Sequence, residues 1–349
     1  MKRFLLPLLF IASIVQAQPN LKGWYLLDSK KDTFNGISLN KTYDFLKGKK
    51  SKTVIVAVID SGIDTTHEDL KNVLWRNPKE ISGNGIDDDG NGYIDDVFGW
   101  NFLGGKDGRN LNKTSREASR IYHLYKSKFS NKPINVESLS SAEKEQYLLW
   151  KQAAALVEVK PEDQAETMFL EVAYKSVRKN ESILRSAINK DEFTVEDVEK
   201  FNPATSQGKQ AKNGYLTFIK IFDIDREENN TGILSELQEV VEEKKQKIVE
   251  KDIPPVNERE VIVKDNYNNI NDRFYGNNDV MGPSPLHGTH VSGIIGAQRG
   301  NGKGIEGIAD NVKIMTIRAV PDGDEYDKDI ALAIKYAVDN GAKVINMSF

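Results

Sequence analysis

The stretch Val54-Ile55-Val56-Ala57-Val58-Ile59-Asp60-Ser61-Gly62 decides the fold of this 349-residue chain. Six consecutive apolar residues, mostly β-branched, read as a strand buried on both faces, as in parallel sheets. Gly62 lets the chain turn at once and leaves Asp60 at the carboxyl end of the strand, where the clefts of open α/β sheets lie. A carboxylate there can accept a hydrogen bond from an imidazole N–H, fix its tautomer and stabilise an imidazolium. Asp-Ser-Gly is also ordinary turn chemistry. It would equally suit a pair of carboxylates sharing a proton, but that needs a second such motif and none occurs.

The partner for Asp60 lies far along the chain, in His287-Gly288-Thr289-His290-Val291-Ser292-Gly293. Small residues followed by Val291, Ile294, Ile295 and Ala297 predict a helix beginning near Thr289, with His287 at its start and facing the cleft. Spacing of three would also let His287 and His290 share a helix face and ligate zinc. The remaining histidines, His67 and His123, offer no third ligand nearby.

With His67-Glu68-Asp69-Leu70 behind the first motif, these segments resemble the subtilisin-like serine peptidases. A third match follows in the same order: Gly304-Ile305-Glu306-Gly307-Ile308-Ala309, a strand from Val312 to Ala319, and a strand ending Val344-Ile345-Asn346-Met347-Ser348-Phe349. The resemblance covers about residues 40–105 and 270–349. It implies a doubly wound α/β domain with a mostly parallel sheet, cleaving polypeptide substrates through an acyl-enzyme. Asp60 would orient and His287 would act as general base. Ser348 and Phe349 would belong to a substrate-lining strand and Tyr326 to a substrate subsite. Asp69 and Asn301 would align with calcium ligands, against the nearby positive charge of Lys303. The family's oxyanion Asn and Gly-Thr-Ser nucleophile segment have no counterpart in the 349 residues. The sequence therefore reads as the N-terminal part of a catalytic domain, inactive by itself. The alternatives are a pseudopeptidase that binds peptides without cleaving them, or a calcium-dependent interaction protein.

A separate calcium signature is legible from the residues. Asp87-Asp88-Asp89-Gly90-Asn91-Gly92-Tyr93-Ile94-Asp95-Asp96 follows the EF-hand loop register through its ninth position. Asp87, Asp89, Asn91, the Tyr93 carbonyl and Asp95 are the expected ligands of a structural Ca2+. At position twelve Phe98 replaces the bidentate glutamate, so Asp96 or a residue outside the loop must complete the shell. A solvated acidic turn is the alternative, but carboxylates this crowded repel one another without a cation.

Between the loop and His287 the composition changes to charge and helix formers with apolar residues at helical spacing. We expect an inserted α-helical subdomain over residues 106–269, flanked by peptidase segments at 18–105 and 270–349. Pro161 and Thr194-Val195-Glu196-Asp197 mark helix starts, and Pro254-Pro255 ends the last long helix. A lid over the cleft and a removable block are both open as roles for it. Residues 1–17 read as a signal peptide: Lys2-Arg3, an apolar run from Phe4 to Val15, and small residues before a cut after Ala17. Export to the periplasm, the cell surface or the medium follows. Zero cysteines exclude disulfides, and no other stretch is apolar enough for a membrane span. A net charge of −4 gives no electrostatic case for nucleic acid.

Overall fold

The computed structural model describes residues 23–130 and 133–349, so the expected signal segment lies outside the described residues. In chain order the elements are α1 Leu39–Leu46, β1 Val54–Asp60, β2 Gly99–Asn101, α2 Glu117–Phe129, α3 Ser141–Leu156, α4 Pro161–Ile188, α5 Val195–Lys200, α6 Ser206–Ile221, α7 Asn230–Val249, α8 Glu258–Ile262, α9 Leu286–Gly296, β3 Val312–Arg318, α10 Asp327–Asp339 and β4 Val344–Met347. They divide into two units. One holds residues up to Asn110, Asn266–Val320 and Asp327–Phe349; the other holds Leu111–Asp265 and Pro321–Tyr326.

The first unit is α/β. Its strands run in the order β2-β3-β1-β4, and every pairing is parallel. The register pairs Val54 with Val312 and Asp60 with Arg318, so the two central strands end level with each other. Val56, Val58, Ile63, Leu70, Leu74, Val312 and Ile314 form one core, covered by Val291 and Ile295 of α9. Side chains alternate across a strand, so Ala57, Ile59, Met315 and Ile317 face the opposite way, and all four are fully buried. Helix α10 packs on the same two strands through buried Leu332, Ala333, Tyr336 and Ala337, none of which belongs to the first core. Helices therefore cover both faces, which is why β1 needs no polar alternation. Gly99–Asn101 forms the edge strand β2 beside β3.

The second unit is helical. Helices α4, α6 and α7 enclose Val177, Leu184, Phe193, Val198, Tyr215, Ile233 and Leu237. Helices α2 and α3 pack around Tyr122, Ala153 and Val157. Helix starts are satisfied locally: Ser140 with Glu143 and Thr194 with Asp197 form capping boxes, and Pro161 occupies the first turn of α4. A short antiparallel bridge joins Thr194 to Asn229. Beside it the buried Asn230 side chain accepts from the Phe193 amide and donates to Glu181. The unit begins and ends a few residues inside the expected 106–269. It also takes in residues 321–326, which the sequence reading left with the sheet. No helix among the described residues is long and apolar enough to cross a membrane.

Candidate active site

Asp60 closes β1 with its carboxylate buried, 2 % exposed, while the His287 side chain is 59 % exposed. The His287 Nδ1 lies 2.9 Å from Asp60 Oδ1 and 3.1 Å from Oδ2. A carboxylate only accepts, so Nδ1 is the donor, and in the neutral ring Nε2 is the nitrogen left to accept. The exposed side chain is thus oriented from behind by the buried carboxylate.

Local structure brings the two residues together. Helix α9 starts at Leu286, three residues earlier than expected, because Pro285 precedes it as N-cap. His287 therefore sits in the first turn. Gly288 permits the approach: a Cβ there would lie 2.2 Å from the Gly62 carbonyl oxygen and 3.1 Å from Asp60 Cβ. Thr289 Oγ1 accepts from the Asp64 amide at 2.8 Å, and the Val280 carbonyl accepts from the Ile63 amide at 3.1 Å. The turn after Asp60 is thereby held by the segment that carries His287. The Ser61 amide donates to Asp60 Oδ1 at 2.7 Å.

Arg318, which the sequence reading did not single out, supports the same turn. It is 1 % exposed, its Nε donates to the Ser61 carbonyl at 3.0 Å, and its Nη1 donates to Asn101 Oδ1 at 3.1 Å. Burial pulls the guanidinium down to about 10. Nothing local in the sequence marked it, since β3 also carries Lys313 and Thr316. Ser348 and Phe349 directly follow the last β1–β4 pair, Ile59 with Met347, at the strand end that also carries Asp60. Tyr326 is buried in the helical unit, with the guanidinium carbons of Arg120 and Arg259 over its ring at 4.5 and 4.6 Å. That packing leaves little of its ring free to line a subsite.

The acidic loop does not assemble as the EF-hand register alone suggests. Carboxylate oxygens of Asp87, Asp89 and Glu80 lie within 4.8 Å of one another. Glu80, seven residues upstream, was missed because it lies outside the loop pattern. Its Oε1 accepts from the Asp88 and Asp89 amides, whereas Oε2 is buried with no hydrogen-bond partner. Burial raises the Glu80 carboxyl above its ordinary value, and the neighbouring Asp89 and Asp88 charges add to this. A carboxylate with one orphaned oxygen, grouped with two more carboxylates, fits a divalent cation. Asn91 Oδ1 accepts from the Tyr93 amide, and the Tyr93 ring is wedged edge-on against Trp100, Phe102, Phe274 and Tyr336. Asp95 is turned elsewhere, with its carboxylate accepting from the Gly83, Asn84 and Gly85 amides at 2.7, 3.2 and 2.8 Å. Asp96 is committed too, accepting from Asn77, Asn91 and Tyr336, and burial pushes it up to about 6.

The second expected pair is adjacent: Asn301 Nδ2 donates to the buried Asp69 Oδ1 at 2.6 Å. Lys303 turns its ammonium to Glu68. Among the described residues no histidine joins a group close enough to share a metal ion, so zinc on His287 and His290 gains no support.

Comparison with known proteins agrees with this geometry. Residues 51–349 match the model described as Subtilase family. The "Subtilisin-like protease 1" of Plasmodium vivax is 40% identical over 86 residues, 24% of this chain and 14% of that protein. The "Cell wall-associated protease" of Bacillus subtilis is 45% identical over 76 residues, 22% and 8% of the two. The "Thermophilic serine proteinase" of Bacillus sp. strain AK1 is 51% identical over 63 residues, 18% and 16%. The matched stretches take in well under a fifth of each relative. With the match running across both motif segments and the intervening residues, this chain belongs to the subtilase family.

Proposed function

We propose that the protein is an exported serine-type endopeptidase in which Asp60 and His287 are two members of an Asp-His-Ser triad. The observation that carries this reading is the pairing of a buried Asp60 carboxylate with Nδ1 of an exposed histidine. In the reaction, His287 Nε2 takes the proton of a serine hydroxyl as its oxygen attacks the peptide carbonyl. It then returns that proton to the leaving amine, while Asp60 stabilises the imidazolium between the two steps. The nucleophile and its oxyanion donor have no motif in these 349 residues. Extended polypeptides are the substrate class, with Ser348 and Phe349 offering backbone groups beside them.

Calcium fits the acidic loop as a structural ion. Glu80, Asp87 and Asp89 would supply carboxylates, with the Tyr93 carbonyl and the Asn91 amide oxygen available from the same loop. The bound ion would offset two of the three negative charges and stiffen the loop. Asp69 and Asn301 form a second, smaller candidate. Export rests on the signal pattern in residues 1–17, and the mature chain would begin at Gln18.

The deciding experiment is to sequence the gene downstream of the Phe349 codon. An open frame with an Asn donor and a Gly-Thr-Ser segment supports the triad. A stop codon there removes the enzyme reading and leaves a peptide-binding cleft without hydrolysis.

A further inference from the structure

We infer that Arg318 is a positioning residue for the Asp60–His287 pair: its buried guanidinium holds the Ser61 carbonyl and so fixes the turn from which the Asp60 carboxylate meets the imidazole. Asp60 and Arg318 are register partners at the ends of β1 and β3. The backbone ladder closes there, with the Ala319 and Val320 amides both donating to the Asp60 carbonyl, at 3.1 and 3.2 Å. One residue further on, no backbone amide among the described residues takes the Ser61 carbonyl, and the buried Ser61 Oγ has no hydrogen-bond partner. At Ser61 the turn is thus held neither by the sheet nor by the residue's own side chain. Arg318 Nε takes the carbonyl instead, at 3.0 Å. The peptide groups on either side both lead to His287. The Ser61 amide donates to Asp60 Oδ1, the oxygen that lies 2.9 Å from His287 Nδ1. The Gly62 carbonyl oxygen comes so close to Gly288, in the helix turn that carries His287, that a Cβ there would stand 2.2 Å from it.

The guanidinium is itself fixed. Its Nη1 donates to Asn101 Oδ1 at 3.1 Å, and that oxygen also accepts from the Leu103 amide at 3.0 Å. Asn101 is fully buried, and its Nδ2 donates to Asn110 Oδ1 at 2.8 Å and Asn277 Oδ1 at 2.9 Å. Burial works against the Arg318 charge, and the Asp279 carboxylate steadies it. Asp279 is tied into the same group, accepting from Asn110 Nδ2 at 2.6 Å and from the Gly282 amide at 3.0 Å. Gly282 in turn, at φ +61°, leaves room for the guanidinium: a Cβ there would stand 2.3 Å from Arg318 Nε. An apolar side chain could fill this volume without the cost of burying a cation, so stability alone does not account for an arginine here. The planar fork of arginine reaches two separate acceptors at once, which an apolar side chain cannot do. A misplacement of about 1 Å at a catalytic group can cost roughly a hundredfold in rate, which makes a loose turn beside Asp60 expensive. The catalytic meaning of this role rests on the proposed function.

The test reads the imidazole of the 349-residue chain rather than hydrolysis. Ring-nitrogen shifts of neutral His287, measured by NMR, give the ratio of the Nδ1–H to the Nε2–H tautomer, and the Nδ1 proton resonance reports the bond to Asp60. Arg318→Met keeps the apolar length and loses both hydrogen bonds. Gly282→Ala keeps the charge, and its Cβ displaces Nε from the Ser61 carbonyl. Ile314→Ala is the control, a destabilising change in the sheet core. Losing a hydrogen bond to a charged group moves an equilibrium by roughly tenfold or more. The tautomer ratio should therefore fall by about tenfold in Arg318→Met, and the Nδ1 resonance should broaden. Gly282→Ala should shift both in the same direction, and it becomes the deciding variant should Arg318→Met not fold. Ile314→Ala should lower Tm and leave both signals as in wild type. A wild-type ratio and resonance in the deciding variant overturns the positioning role. So does an equal change in Ile314→Ala, which would make the effect one of general stability. Asp60→Asn separates this role from the proposed function, because an amide in that place no longer enforces the tautomer. A ratio indifferent to Asp60→Asn removes the pairing itself, and Arg318's role with it. A response to Asp60→Asn with none in the deciding variant removes the role of Arg318 alone.

Discussion

Replacing Glu80 with glutamine should change stability in opposite directions with and without calcium. In the metal-free chain the buried Glu80 Oε2 has no partner, and the Glu80 carboxylate lies beside those of Asp87 and Asp89. An unmade bond at a buried polar atom costs about 1–3 kcal/mol, and the partial exposure of Glu80 favours the low end. Glutamine keeps an oxygen to accept from the Asp88 and Asp89 amides and turns an N–H toward the carboxylates. Glu80→Gln in EDTA should therefore gain about 1 kcal/mol, or roughly 2–4 °C in Tm for a unit of 150–250 residues. With calcium at about a hundred times its Kd, the wild type gains about 2.7 kcal/mol by mass action. Losing one carboxylate ligand should weaken binding about tenfold or more, removing about 1.4 kcal/mol of that gain. The two melting curves should thus cross between EDTA and millimolar calcium. Differential scanning calorimetry at both conditions is the assay. A wild-type Tm that ignores calcium, or a Glu80→Gln variant that melts lower than wild type in EDTA, would refute the assignment of Glu80 to a cation site.

Three further outcomes follow from the same contacts. Glu250 is 1 % exposed, and burial raises its carboxyl despite the Arg116 ion pair at 2.9 Å. A raised folded-state value means its stabilising contribution is present below the ordinary glutamate range and lost as pH rises through the raised value. Glu250→Gln should therefore flatten the loss of helical-unit stability as pH rises from the ordinary glutamate range through the raised value, and equal pH slopes for variant and wild type there would contradict this. Ile314→Ala in the sheet core and Leu184→Ala in the helical core, both fully buried, should each cost about 2–5 kcal/mol. Because the two cores share no residue, each substitution should lower its own melting transition, and a common shift of both would show the units to be coupled. Finally, the 349-residue chain should neither hydrolyse casein nor react with a fluorophosphonate. Labelling that disappears in His287→Ala would reveal a nucleophile within these residues.

What could be seen in the sequence was whatever depends on residues close together in the chain. The run from Val54 to Asp60 became β1 with those bounds, because a strand buried on two faces leaves an unbroken apolar signal. Thr194 and Asp197 formed their capping box for the same local reason. The pairing of Asp60 with His287 spans 227 residues and was nonetheless legible, since each half carries a motif of its own. Glu80 and Arg318 carried no such mark. Each owes its role to what folding brings beside it: two carboxylates for the one, a turn from the neighbouring strand for the other. Asp95 shows the converse, for it sits at a ligand position in the linear pattern but has φ +53°, and three backbone amides claim its carboxylate. Backbone donors at hydrogen-bond distance compete with a cation for the same oxygens, and the nearer fixed partners win unless the ion brings more charge than they do. Glu80 resolves that competition from outside the pattern, because its second oxygen is the one that no amide has taken.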